Sequence, residues 1–302
     1  MKEAVSPQEA YLAVRDAFVA HHRGEWTMPP KLYVTNYPAG DFRAMPALGG
    51  GYALLKWVTS FPGNPSRGLP TVTGLVLLSD AETGRLEAVL DAAAVSALRT
   101  AAAGVIAADT LARSDAESVT VVGCGVNGAE TVRMLVAHGR SPLVWDVDRE
   151  RREGVAEQFG ARVAETLEHA AGSDVVITVT PGKTILFPPG SLRGGQHVSL
   201  MGADGPGKAE VAVDELSRAR LFCDDWEQAS HGGELAAGVT AGVVTRNRVT
   251  DIGRVLTGEA EGRRSASDIT LFDSTGLAIQ DLAIAKVAIA KAGELDLPTI
   301  DL

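Results

Sequence analysis

The chain has 302 residues, 45% apolar, 22% charged and 5% aromatic, a globular balance long enough for two domains with separate cores and incompatible with disorder. Its formal charge of -10 argues against nucleic-acid or anionic-membrane partners, which need clustered positive charge, and in favour of a small-molecule enzyme. The two cysteines, Cys124 and Cys223, exclude a disulfide framework and speak against a zinc cluster, so the expectation is a cytoplasmic protein without a metal.

The N-terminal segment carries charges where a secretory signal would be apolar, and no window approaches the ~20 uninterrupted apolar residues of a membrane span. Ala10, Leu12, Val14, Phe18 and Val19 recur at helical spacing and predict a helix over 7–22, with Ser6 as N-cap. Short alternating runs follow, KLYVTNY, ALLKWVTSF, TVTGLVLLSD and RLEAVLD, and predict an antiparallel sheet. A small-residue helix is expected over 92–112, with Arg99 as its internal cation. Beyond Glu117, strands and helices alternate: SVTVVG, a helix over 127–138, PLVWD, a helix over 149–159, then DVVITVT, HVSLMGA and RLFCDD. That order predicts a doubly wound parallel sheet. The last segment, TGLAIQDLAIAKVAIAKA, is apolar nearly all round and is expected to pack back on the first domain. The fold expected is α/β: a Rossmann domain over 113–275, plus an α+β substrate and dimerisation domain made of 1–112 and 276–302.

Gly123, Gly125 and Gly128 form a G-x-G-x-x-G turn, with Val126 and Asn127 inside it, directly after a strand and directly before a helix. The first glycine permits the tight turn, the second admits a pyrophosphate, and the third lets helix approach strand. Asp146 ends the next strand about 20 residues on, where a carboxylate accepts from the adenosine 2′-hydroxyl and repels a 2′-phosphate. Together these predict NAD as cofactor. Arg149 is the competing residue, either turned towards a phosphate or solvated at a helix start.

Lys56 shares a strand face with Leu54 and Val58, so it either snorkels to solvent or points into a cavity where desolvation lowers its pKa. Arg43 and Arg99 either fork onto a carboxylate or form structural salt bridges. Three cations in apolar stretches of an acidic chain together suggest an anionic substrate. Asp204 stands just beyond a parallel strand, as a turn residue or as a proton-transfer group, and Lys208 reads as a solvated loop residue. The histidines lack metal-ligand spacing, with His231 held open as a site residue.

Four stretches, RAMPA with the lysine strand and PGNP (43–65), ALRTAAAG (97–104), MGADGPGKAE (201–210) and FDSTGLAIQDLA (272–283), resemble the ornithine cyclodeaminase/μ-crystallin family. The likeness covers nearly the whole chain. Within that family, MPPKLY, GDFRAMPA, LKWV and DDWEQASHGGE look most like the archaeal-type NAD-dependent alanine dehydrogenases. The resemblance implies a homodimer built by the N-terminal sheet domain. It also implies roles: Lys56 at the reacting carbon, Arg43, Arg99 and Lys56 around the substrate carboxylate, Lys208 nearby, and Asp204 as proton donor or acceptor. Thr71, Thr180 and Ser274 would lie along the cofactor. The implied reaction is oxidation of L-alanine with NAD and water to pyruvate, ammonia and NADH. Rival readings are reduction of an imino acid such as pyrroline-2-carboxylate, ornithine cyclodeamination and, as a different class, ligand binding in the manner of the crystallin branch. Cyclodeamination ranks lower because no acidic residue beyond Asp204 presents itself to a δ-amino group.

Overall fold

The computed structural model describes residue 1, residues 3–205 and residues 207–299. The chain forms two compact units, Met1–Arg99 with Leu277–Leu302, and Thr100–Gly276.

The first unit opens with α1 (Pro7–His22), whose start is fixed by a capping box: Glu9 N donates to Ser6 Oγ and Ser6 N to the Glu9 carboxylate. Five antiparallel strands follow in sequential order, β1 (Leu32–Asn36), β2 (Gly40–Gly49), β3 (Tyr52–Ser60), β4 (Val72–Asp80) and β5 (Leu86–Asp91). Along β3 the side chains alternate as expected, with Leu54, Lys56 and Val58 buried and Leu55 and Trp57 exposed. The buried face is covered by the C-terminal helix, Ala278–Ala290, which packs on β2, β3 and α1. Its Ile279, Leu282 and Ile284 are fully buried, each contributing about 2 kcal/mol.

Strand β2 was not among the expected strands, because Pro46 lies in its interior. Leu48 N donates to Thr27 O on the same edge, so the nitrogen of Pro46 faces the gap beyond Leu32, the last β1 residue paired, where no ladder bond is required.

Helix α2 (Ala92–Leu111) begins at Asp91, whose carboxylate accepts from Ala93 N and Ala94 N. By length and composition it is apolar enough to cross a membrane, but Arg99 and Asp109 interrupt it and most of it is buried within the fold. The boundary between the units falls inside this helix, after Arg99, not after residue 112 as expected, and the second crossing falls after Gly276, not 275. The later turns of α2 are bonded to the second unit: Ser199 Oγ donates to Gly104 O, and Thr270 Oγ1 and Arg263 Nε to Leu111 O.

The second unit is an all-parallel sheet of eight strands: β6 (Val119–Val122), β7 (Leu143–Trp145), β8 (Arg162–Val163), β9 (Val175–Thr178), β10 (His197–Leu200), β11 (Arg220–Cys223), β12 (Val249–Asp251) and β13 (Thr270–Asp273). Their order is β12-β11-β13-β10-β9-β6-β7-β8. Helices α3 (Val126–Ala137) and α4 (Arg149–Phe159) lie in the β6–β7 and β7–β8 crossovers. Strands β6, β9, β10 and β13 are buried on both faces, which accounts for the near-continuous apolar runs of β6 and β9, while His197 and Ser199 of β10 are satisfied by hydrogen bonds. Strands β8, β12 and β13 were not among the expected strands. The chain runs outward from β6 to β8, then returns to β9 on the other side of β6. That reversal opens a crevice at the carboxyl ends of β6 and β9.

Candidate active site

At this crevice the chain leaves Val122 through Gly123, whose φ of +102° is left-handed and whose Cβ, if present, would lie 2.8 Å from Val179 O. Gly128 packs so closely that a Cβ would overlap the Gly123 carbonyl. Gly125 differs from both. Its backbone is extended, it is the N-cap of α3, and a Cβ there would meet nothing within 4 Å. The first and third glycines are therefore required by the chain itself, whereas the second borders open space. Val126 beside it is 73% exposed, and α3 has no side-chain cap. Amides of Val126, Asn127 and Gly128 at an uncapped helix start, next to a space a Cβ would fill, suit the pyrophosphate of a dinucleotide.

Asp146, immediately after β7, accepts from Cys124 N at 2.6 Å and from Asp148 N at 2.8 Å, so it also anchors the glycine turn. Arg149, at the start of α4, is exposed and paired with Glu153 at 2.6 Å. Thr180 follows β9, where its hydroxyl accepts from Gly182 N and donates to Glu210. Ser274 follows β13 and donates to Asp224 at 3.1 Å. Asp204 follows β10 and forms an ion pair with Lys208, which is therefore not simply a solvated lysine; Pro206 of that stretch lies outside the described residues. The glycine turn, Asp146, Thr180, Asp204 and Ser274 thus all stand past the carboxyl ends of parallel strands. His231 bonds locally, to Ser230 and Glu227 O.

A buried carboxylate network, absent from the sequence reading, supports this edge. Glu210 accepts from Thr178 and Thr180, and Glu234 accepts from the amides of Glu210 and Val211. Burial pushes both carboxyls up, Glu234 to about 8 with help from the nearby Glu210 charge. The available signal was a glutamate in apolar company, KAEVAV and GGELAAG.

In the first unit, β2, β3, α2 and the C-terminal helix bring the three cations together. Arg43 and Lys56 are diagonal neighbours on the buried sheet face, since Met45 pairs with Lys56 and Arg43 with Val58. Arg43 is held by Asp41, with Nε donating at 2.6 Å and Nη2 at 3.3 Å, and its guanidinium lies over the Tyr33 ring. Lys56 is 1% exposed and donates to Ser96 Oγ at 2.6 Å and to Asp281 Oδ1 at 2.9 Å. It points inward, not to solvent. Arg99 reaches the same carboxylate at 3.6 Å and Gln280 Oε1 at 3.4 Å. Burial pulls the Lys56 ammonium down to about 8; Asp281 opposes that shift, whereas the Arg99 and Arg43 charges add to it. Thr71 also belongs to this unit, just before β4, its carbonyl accepting from Phe61 N.

Asp281 and Asp41 revise the expectation that no acid beyond Asp204 was to hand. Both are buried, but both are already paired to cations. Asp41 holds Arg43, and Asp281 holds Lys56 with Arg99 close by, so three cations and two carboxylates of one unit stand side by side. Asp281 could be found from sequence only as a lone acid within the apolar run GLAIQDLAIA. Its pairing across 225 positions could not.

The chain matches the model of the ornithine cyclodeaminase/mu-crystallin family over residues 1–294. It is 42% identical to an alanine dehydrogenase of Archaeoglobus fulgidus, over 97% of this chain and 92% of that one. Among solved structures, an archaeal alanine dehydrogenase dimer with bound NAD superimposes with a TM-score of 0.92 at 41% identity, covering 99% of this chain and 95% of that one. The Thermococcus litoralis Δ1-pyrroline-2-carboxylate reductase, in complex with NADH and L-proline, superimposes at 0.90 with 26% identity, over 97% and 95% of the two chains. On its family match and these full-length likenesses, the chain belongs to the ornithine cyclodeaminase/mu-crystallin family.

Proposed function

We propose that this protein is an NAD-dependent alanine dehydrogenase, interconverting L-alanine, NAD and water with pyruvate, ammonia and NADH. The observation that carries the reading is the cluster of buried Arg43 and Lys56 with half-buried Arg99, in a chain so similar to the archaeal enzyme. One small carboxylate docks on Arg43 and Arg99, fixed by guanidinium forks. Lys56 then stands at the 2-position, donating a proton to the carbonyl oxygen as ammonia adds and water leaves, and taking one back in the oxidative direction. Asp204 keeps the role the resemblance implies, exchanging a proton with the amine. The glycine turn, Asp146, Thr180 and Ser274 hold NAD(H), which supplies the hydride when bound. Asp146 disfavours the 2′-phosphate of NADP(H).

Reduction of a preformed imino acid is the second reading, favoured by the likeness to the Thermococcus reductase. It uses the same cations without free ammonia. NADH oxidation with pyruvate plus ammonium, compared with Δ1-pyrroline-2-carboxylate, separates the two. Turnover of the cyclic imine alone would refute alanine dehydrogenation. Lys56→Ala is expected to lower kcat by roughly 10²–10⁴-fold, and retention of full activity would remove Lys56 from the reaction. We also propose a homodimer through the outer face of the five-stranded sheet, where Leu55, Trp57, Leu75 and Val89 are exposed.

A further inference from the structure

Lys56 is the longest side chain buried to completion in the first unit, and an ammonium cannot stand in an apolar layer without a counter-charge and acceptors. Five groups face it or the charge beside it. The C-terminal helix offers Asp281, α2 offers the hydroxyl of Ser96 and the guanidinium of Arg99, and β2 offers Arg43 with its partner Asp41. On β4 its register neighbour is Val76, which is apolar. Among the described residues only Asp281 brings a negative charge into contact with the ammonium, at 2.9 Å, and this carboxylate is itself wholly buried. Its Oδ1 takes Lys56 and lies 3.6 Å from Arg99, while its Oδ2 has no hydrogen-bond partner among the described residues. A carboxylate held only for packing would be expected to satisfy both oxygens. This one instead spends its contacts on two of the three substrate-site cations. Ser96, whose own proton goes to Ala92 O, can only accept from Lys56. Two of the three ammonium hydrogens are thereby fixed in direction, and the third is left to aim.

We propose that Asp281, with Ser96 as second acceptor, is the positioning residue that keeps Lys56 charged and fixes the direction of its remaining proton. Asp281 acts through Lys56 and does not touch the reacting atoms. The proposal rests on the role given to Lys56 above, yet its test does not need turnover.

The test is a pH titration of the Lys56 Cε resonance in the full-length protein with labelled lysines, assigned by its loss in Lys56→Arg. The wild-type midpoint is expected near 8. In Asp281→Asn the two guanidinium charges and burial act unopposed, so the midpoint falls by at least one unit. The limb of the kcat/KM profile that reports Lys56 moves acid-ward with it in either reaction direction. Asp281→Glu restores the charge and returns the midpoint to within half a unit of wild type. A folded Asn variant with an unmoved midpoint overturns the proposal. Should Asp281→Asn not fold, Ser96→Ala decides: losing an acceptor to the charged form is expected to lower the midpoint by about half a unit and kcat severalfold at unchanged NADH affinity, and a variant indistinguishable from wild type overturns it. Failure of both pyruvate and cyclic-imine turnover, with these midpoints as expected, would refute the proposed function and leave the pairing intact.

Discussion

The glycine turn separates what the fold needs from what a ligand needs. Alanine at Gly128 would overlap the Gly123 carbonyl, and no flexible side chain is available to yield, so the helix or the turn must shift. Gly128→Ala is expected to cost about 3 kcal/mol and to lower Tm by several degrees. Alanine at Gly125 meets no protein atom, and its backbone is already of a kind any residue adopts. Gly125→Ala should therefore melt like wild type while binding NADH at least tenfold more weakly, as read by fluorescence titration. Wild-type affinity in that variant would show that the pyrophosphate lies elsewhere. The three glycines and Asp146 were legible because strand, turn, helix and acid are adjacent in sequence. Asp281 was not, because its meaning depends on a lysine 225 positions away, brought opposite only when the C-terminal helix returns to β3. For the same reason the sequence could offer Lys56 two fates and choose neither.

At the scale of elements, legibility followed length and period. Helix α1 and β3 announced themselves by spacing and β6 by its apolar run, whereas β2 was hidden by a proline whose missing donor falls in a gap of the ladder, and β13 by the polar residues at its two ends, Thr270 and Asp273. The segment around Glu210, which ties the ends of β9 and β10 together, carries a pH dependence that sequence does not display. Glu234 has its pKa raised from 4.5 to about 8 in the folded state, so above 4.5 the folded protein binds more protons than the unfolded chain. The stability that Glu234 contributes is then full below pH 4.5 and lost as pH rises towards 8. His197, buried between Thr270 and Ser199 with its pKa lowered to about 3, acts in the opposite sense only below pH 6.5, and Lys56 only above 8. Between pH 6.5 and 8 the wild-type Tm is expected to fall. Glu234→Gln, which keeps an acceptor for the Val211 amide, should flatten that slope; equal slopes in the two proteins would mean Glu234 ionises normally.

At the scale of the whole molecule, the first unit exposes one apolar sheet face. Trp57 is 41% exposed and sits directly opposite Leu75 at 52% on the neighbouring strand, while the row below runs from Leu55 through Leu77 to Val89. A soluble monomer seldom leaves so continuous an apolar patch in water, and a flat strand face of this kind is self-complementary about a two-fold axis. The opposite face of the same sheet is already filled by the C-terminal helix, so the outer face is the one open to a second copy. A charge at its centre must then be buried on association without a partner, which is strongly destabilising. The double substitution Trp57→Glu and Leu75→Glu is accordingly expected to convert a dimer into a monomer in light scattering coupled to gel filtration. Circular dichroism should remain that of the wild type, since neither side chain reaches the core. An unchanged dimer mass would place the interface on another surface, and a wild-type mass of one chain would remove the dimer altogether.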